Sequence, residues 1–347
     1  MKAAVLTAFR APLEIQERPD PECPEDGVVL EVAACGVCRS DWHGWVGAHP
    51  LVKPGHVPGH EYCGTVVESG KNANWAVGER VIAPFILACG ACPDCHAGQQ
   101  TVCANQRLPG FTQEGAFATF VAVPFAHNLT RLPDAISPAL AAGLGCRVTT
   151  AWHALTGRAA LQPGEWLAVH GTGGVGMAAV ILGRALGARV IAVDIVAEKL
   201  TLAHKIGAEA VVDASVEDVA AAIKDITQGG AHVSVEALGI AATTNASLRC
   251  LRPLGRHVQL GYPAGEHASM TLDIKAIYAG SLAVYGSRGM PSWRYPSLLG
   301  LIERGDVDLS PMIGSEIALS GASAALAAMD HAAAPGVTVI TDFKEAC

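Results

Sequence analysis

Basic side chains are scarce in this sequence: 24 Lys and Arg stand against 32 Asp and Glu in 347 residues, a formal net charge of −8. A chain with that balance offers no basic face to a phosphate backbone, which argues against nucleic acid as a main partner. Long unbroken apolar runs are also missing. The most hydrophobic region, 177–196, is interrupted by Arg184, Arg189 and Asp194. It falls short of the roughly 20 apolar residues a bilayer-spanning helix needs, so no membrane span is expected. Lys2 precedes only a short apolar run from Ala3 to Phe9, followed by Arg10, Glu14, Glu17 and Arg18 with no small-residue cleavage site. That opening reads as a strand rather than a secretion signal. There is no internal repeat, low-complexity tract or flexible linker.

What is present points to two domains. A chain of 347 residues exceeds the size at which a single core usually keeps growing. Over 1–147, short β-branched runs at 28–33, 64–67, 80–82 and 117–123 are broken by Gly and Pro, the pattern of an irregular β-rich domain. Over 148–287 strands alternate with helical stretches: 166–169, 177–186, 189–193, 198–206 and 210–212, then strands at 232–236, 257–260 and 281–285. Such alternation implies an α/β fold, βαβ units doubly wound on a parallel sheet. Gly187 and Gly207 supply the stop signals of two of its helices, because glycine accepts the left-handed conformation that closes a helix. Past about 287 the alternation loosens around Pro291, Trp293 and Pro296 before a helical stretch at 297–304, and the chain is expected to return over 288–347 to the first domain. A cleft between the domains is the expected site.

Eleven cysteines are an odd number, and six of them stand where a metal could use them rather than in a disulfide framework. A reducing, cytoplasmic setting follows. Cys89, Cys92, Cys95 and Cys103 are separated by two, two and seven residues, a set that can close on one tetrahedral structural zinc. His96 lies inside this lobe, but four cysteines already complete the tetrahedron. Cys38, the His60-Glu61 pair and Cys146 stand outside it, and two cysteines with one histidine are a set zinc uses when a fourth position stays open for chemistry. Cys23, Cys35, Cys63, Cys250 and Cys347 lack such spacing and read as small buried hydrophobes.

The run Gly171-Thr172-Gly173-Gly174-Val175-Gly176 follows an apolar strand and opens a helix, with Asp194 at the end of the next strand, 18 residues after Gly176. In that setting the glycines admit a pyrophosphate to the helix N-terminus while the acid accepts from a ribose hydroxyl. Asp194 would repel a 2′-phosphate, and Ile195 and Val196 follow it rather than arginine, so NAD is favoured over NADP. Lys199 stands within reach of the same ribose, with a surface pairing to Glu198 as its alternative.

Taken in order, Gly36-Val37-Cys38-Arg39-Ser40-Asp41-Trp42-His43, Gly59-His60-Glu61, the four-cysteine lobe, Gly145-Cys146, the glycine run and Asp194 resemble the zinc-dependent medium-chain alcohol dehydrogenases over essentially the whole chain. The resemblance implies a GroES-like catalytic domain interrupted by a Rossmann domain, with two zincs per subunit, and hydride exchange between an alcohol and NAD to give an aldehyde or ketone. It also implies roles by position. Cys38, His60 and Cys146 would hold the catalytic zinc, with Glu61 behind it and Asp41 on the His60 ring. Ser40 and His43 would relay the alcohol proton, Arg39 would meet the pyrophosphate, and Thr150 and Val175 would press the nicotinamide toward the metal.

By position, Trp45, Phe85 and Trp152, with Phe111 and Trp42 as further candidates, are expected to line an apolar pocket. Cys146, where polyol dehydrogenases of the superfamily often place a glutamate, leans toward simple alcohols. A polyol or amino-alcohol dehydrogenase is the alternative enzyme, and a non-catalytic cofactor-binding member the alternative of another class. The short 103–117 segment resembles the tetrameric microbial enzymes more than the dimeric ones, so a homotetramer is expected.

Overall fold

The structure, a computed structural model, describes residues 1–330 and 336–344. Cys347 lies outside the described residues. The chain divides into two compact units: Met1–Cys146 with Gly289–Gly305 and Ile313–Cys347, and Arg147–Arg288 with Asp306–Met312. Residues 306–312 thus group with the second unit and interrupt the return of the chain to the first.

The first unit begins with an antiparallel pair, β1 (Lys2–Val5) and β2 (Glu14–Glu17). Its main sheet, among the described residues, is built on β3 (Val28–Val37), which pairs antiparallel with β4 (Glu61–Ser69) and with β6 (Phe120–Val123). Outward from β4 lie β5 (Arg80–Ile82) and β7 (Thr130–Arg131). Short helices α1 (Arg39–Trp45) and α2 (Pro93–His96) fall in the connections, and α3 (Pro138–Gly143) starts with Ser137 accepting from the Leu140 N–H and Pro138 in its first turn, a conventional start signal. β3 buries nearly every side chain, packing with Tyr62, Phe117 and Leu6 into one apolar core. The strand expected over 117–123 is shorter than its sequence pattern. Phe117 turns into the core and its carbonyl accepts from the Ala4 N–H at 2.8 Å, leaving the regular ladder to start at Phe120.

The second unit runs α4 (Thr149–His153), β8 (Trp166–His170), α5 (Gly174–Ala185), β9 (Arg189–Asp194), α6 (Ala197–Lys205), β10 (Ala210–Asp213), α7 (Val219–Thr227), β11 (Ala231–Glu236), α8 (Ala241–Arg249), β12 (Leu251–Gln259), α9 (Ile274–Gly280) and β13 (Ala283–Gly286). The strands are parallel in the order β10-β9-β8-β11-β12-β13. Strand order therefore reverses between β8 and β11, and the crevice at the carboxyl end of such a reversal is where doubly wound sheets take ligands. α5 ends as its glycine dictates: Gly187 has φ +80°, and Ala188 N donates back to the Gly183 carbonyl at 3.0 Å. Gly207 closes α6 in the same way, with Ala208 N on the Ala203 carbonyl at 2.9 Å.

After α10 (Tyr295–Glu303), the first unit is completed by β14 (Ile313–Ala318), α11 (Ala322–Ala328) and β15 (Val337–Asp342). β15 runs antiparallel to β3, opposite Cys35, Gly36 and Val37. Among the described residues no helix is long and apolar enough to cross a membrane.

Candidate metal centres and cofactor loop

Strand β3 delivers Cys38. Its last residues are held between β4 and β15, so Cys38 leaves the sheet at a fixed point, immediately before α1. The Cys38 N–H donates to Asp41 Oδ2 at 2.9 Å, closing the first helical turn. The other oxygen of this buried carboxylate accepts from the Gly59 N–H at 3.1 Å and from His60 Nδ1 at 2.8 Å. With the proton held at Nδ1, Nε2 is the nitrogen that could coordinate a metal. His60 Nε2 is itself buried and makes no hydrogen bond of ordinary geometry.

Gly145 brings the last ligand in. A Cβ there would lie 2.7 Å from Glu61 Cα, so the wide π-type turn over Leu144–Val148 presses directly on the start of β4 and presents Cys146. The ligand atoms of Cys38, His60, Glu61 and Cys146 all fall within 4.8 Å of one another. Burial works against charge on His60, but the Asp41 carboxylate and the Cys38 sulfur outweigh it and raise the ring's pKa well above its ordinary value. The centre favours positive charge at its middle, and its soft donors, buried nitrogen and nearby carboxylate suit zinc.

Two of the expected aromatic rings stand beside this centre. The Phe85 and Phe111 rings lie 5.8 and 5.1 Å from the His60 ring. His49, which no sequence signal singled out, has its ring 4.6 Å from that of Phe111, tilted by 47°. Trp45 packs in the same apolar core as Phe111, and its indole N–H donates to the Ala11 carbonyl at 2.7 Å. Trp42 is also committed, with its N–H on Asp330 at 2.9 Å and its ring beneath the Arg39 guanidinium. Trp152 lies in the second unit, buried on α4 with Nε1 lacking a hydrogen-bond partner. Ser40 Oγ stands 3.9 Å from Cys38 Sγ. His43 shares the helix, and burial, reinforced by the charge of Arg39, lowers its pKa.

The lobe brings its four sulfurs within 4.8 Å of one another. Cys92 lies 3.5 Å from Cys95 and 3.8 Å from Cys103, and Cys103 lies 3.5 Å from Cys89. These are too long for a disulfide and match the edge of a tetrahedron, about 3.8 Å, that zinc–sulfur bonds of about 2.3 Å generate. The Ala91 N–H draws the Cys89 thiol down to about 6, while burial pushes Cys95 up to about 12.

In the second unit, β8 ends at His170 and the glycine run turns into α5. Gly171 adopts φ +87°, and a Cβ on Gly176 would lie 1.8 Å from the Gly171 carbonyl oxygen. Those two glycines build the turn. Gly173 differs, since a Cβ there would meet nothing within 4 Å and no side chain caps the helix it opens. The space and the N–H groups fit a pyrophosphate. Gly174 makes room for the buried side chain of Arg147, whose Cδ would be 2.4 Å from a Cβ. Asp194 faces the loop, but its oxygens are engaged by the chain. Oδ2 accepts from the Thr172 N–H at 2.7 Å and hydroxyl at 2.8 Å, and Oδ1 accepts from the Ile195 and Val196 N–H groups at 2.9 and 3.1 Å. Thr172 occupies an unrestricted position of the glycine motif, so spacing alone did not mark it. Lys199 lies in the first turn of α6, Val175 in that of α5, and Thr150 is buried on α4.

Residues 24–134 match the sequence family described as alcohol dehydrogenase GroES-like domain, and residues 174–304 that described as zinc-binding dehydrogenase. An alcohol dehydrogenase of Geobacillus stearothermophilus is 37% identical over 270 residues, 77% of this chain and 79% of its own length. A D-arabitol-phosphate dehydrogenase of Enterococcus avium is 31% identical over 308 residues, 86% of each chain. A Sinorhizobium meliloti 1021 protein described as a zinc-binding dehydrogenase and solved bound to NADP superposes with a TM-score of 0.87 at 30% identity, over 98% of both chains.

Proposed function

The chain belongs to the zinc-dependent medium-chain alcohol dehydrogenases, and from that premise we propose that it exchanges a hydride between a primary or secondary alcohol and NAD. Membership makes it an oxidoreductase acting on CH–OH donors. The observation that carries the finer reading is the meeting of Cys38, His60 and Cys146 around one point with Asp41 behind them. In this reading these three residues hold a catalytic zinc, and Cys89, Cys92, Cys95 and Cys103 hold a structural one.

When bound, zinc would act as a Lewis acid that lowers the pKa of an alcohol hydroxyl, and the nicotinamide would take up the hydride. The chain's own residues do the rest. Asp41 keeps the proton of His60 on Nδ1 and so orients Nε2. Phe85 and Phe111 exclude water beside that ring. Ser40 and His43, on consecutive turns of α1, take the alcohol proton outward; the lowered pKa of His43 leaves its imidazole neutral near pH 7, able to accept. Arg39 meets the pyrophosphate, and Gly173 with the start of α5 supplies open backbone donors.

NAD is supported by Asp194 and by the apolar Ile195 and Val196 after it, although the resemblance to an NADP-bound protein keeps the second cofactor in the test. A polyol substrate is the other reading, favoured by the resemblance to the arabitol-phosphate enzyme. We assign the protein to a reducing, cytoplasmic setting, in keeping with ten described cysteines that form no disulfide. A homotetramer, or a homodimer, is supported by β13, an edge strand with Val284 42% exposed, since open edges invite pairing.

The test is NADH and NADPH formation with primary, secondary, aromatic and polyhydric alcohols, with zinc measured on the same sample. Turnover of simple alcohols with NAD and near two zincs per chain is expected. Turnover of polyols alone shifts the substrate class, and two zincs without any turnover favours a non-catalytic cofactor-binding protein.

A further inference from the structure

We infer that Trp42 is a positioning residue for Arg39, holding its guanidinium flat so that the remaining N–H edge is set for an anion before the cofactor arrives. The inference rests on the reading that Arg39 meets the cofactor's pyrophosphate. Arg39 and Trp42 are three residues apart on α1, a spacing that stacks side chains on one helix face. The Arg39 guanidinium carbon lies 3.7 Å from the indole ring centroid, within the range of a cation–π contact. Its Nη1 donates to the carbonyl of Met329. A guanidinium carries five N–H donors in one plane, so a stacked face and a single carbonyl bond fix that plane without using all of them.

The indole is fixed in turn. Trp42 Nε1 donates to Asp330 Oδ1 at 2.9 Å, and Asp330 is held from the other side by Arg10 Nη1, 3.3 Å from Oδ2 and 3.5 Å from Oδ1. The sequence from Arg10 through Asp330 and Trp42 to Arg39 is therefore continuous, and every member lies in the first unit. An unrestrained arginine loses side-chain freedom when it grips a phosphate; one already immobilised loses less and binds tighter.

The test is a double-mutant cycle on NADH dissociation constants, read by fluorescence, using Arg39→Leu, Trp42→Leu and the pair. Trp42→Leu alone is expected to weaken NADH by about three- to tenfold, and to weaken it no further once Arg39 is Leu. An equal loss in both backgrounds, or none in either, overturns the inference. Unchanged NADH affinity in Arg39→Leu removes Arg39 from the pyrophosphate site, a failure of the underlying reading that the cycle separates from a failure of Trp42. Asp330→Asn in both backgrounds gives the same decision without altering α1, with a smaller loss expected only when Arg39 is present.

Discussion

Asp41 and His60 are joined at 2.8 Å with their side chains 0% and 1% exposed, a contact sealed from water that engages Nδ1 and leaves Nε2 for the metal proposed above. Replacing Asp41 with Asn keeps the shape but puts a neutral amide where the carboxylate accepted. Zinc affinity at Cys38, His60 and Cys146 is expected to fall by about 10- to 100-fold, while the four-cysteine lobe keeps its ion. Metal analysis after dialysis against a mild chelator should then give one zinc per chain in place of two.

Two glycines of one loop should answer differently to the same methyl group. At Gly176 a Cβ collides with the Gly171 carbonyl oxygen at 1.8 Å, whereas at Gly173 it meets nothing within 4 Å. Gly176→Ala is expected to destabilise the second unit by more than about 2 kcal/mol. Gly173→Ala should leave the melting temperature almost unchanged and still weaken NADH, because the methyl takes space that a pyrophosphate would use. Thermal melts and NADH titrations on the same preparations check both.

Asp194 accepts from four donors of the chain itself. Asp194→Gly should therefore cost stability, about 1–3 kcal/mol for the donors left without an acceptor, as well as raise the KM for NAD and lower that for NADP. If the stability falls but cofactor preference stays, Asp194 is a clasp for Thr172 and its neighbours and does not read the ribose.

Acid should unfold the second unit through two buried imidazoles. Burial holds the His170 pKa down to about 3 and that of His257 to about 4, against about 6.5 in an unfolded chain. Both rings are neutral when folded, so the unfolded state binds more protons as soon as the pH drops below about 6.5. Stability is complete above that value and declines from there toward the folded pKa values; at pH 5 each ring accounts for about 2 kcal/mol of loss. Denaturant titrations at pH 7.5 and 5.0 should show the decline, and His257→Gln should reduce its slope.

The legible parts of this protein are those whose signal is local. The four lobe cysteines announced themselves by spacing, and the glycine run by its place between an apolar strand and a helix. β12 was legible only in its second half. The sequence marked a strand only over 257–260, and the structure starts β12 at Leu251 and carries it through Arg252-Pro253-Leu254-Gly255 with Leu254 at φ +62° and a register shift opposite β11. Which aromatic rings face His60 depends on packing between distant segments, so the approach of Phe85 and Phe111 to that ring could not be read from local sequence. The clasp of Thr172 on Asp194 and the stacking of Arg39 on Trp42 belong to the same class, in which local sequence supplies the groups but tertiary structure supplies the partners.

β15 lies against the end of β3 that leads into Cys38, yet it follows the whole of the second unit along the chain. On the ribosome this separates the two halves of the protein in time. The second unit is complete and free to fold while the end of β3 that leads into Cys38 still lacks β15 on one side. On the proposed reading of Cys38, His60 and Cys146 as metal ligands, that site would be framed only once β15 is in place, and a chain stopped short of β15 would carry the whole second unit while β3 lacked one of its paired strands.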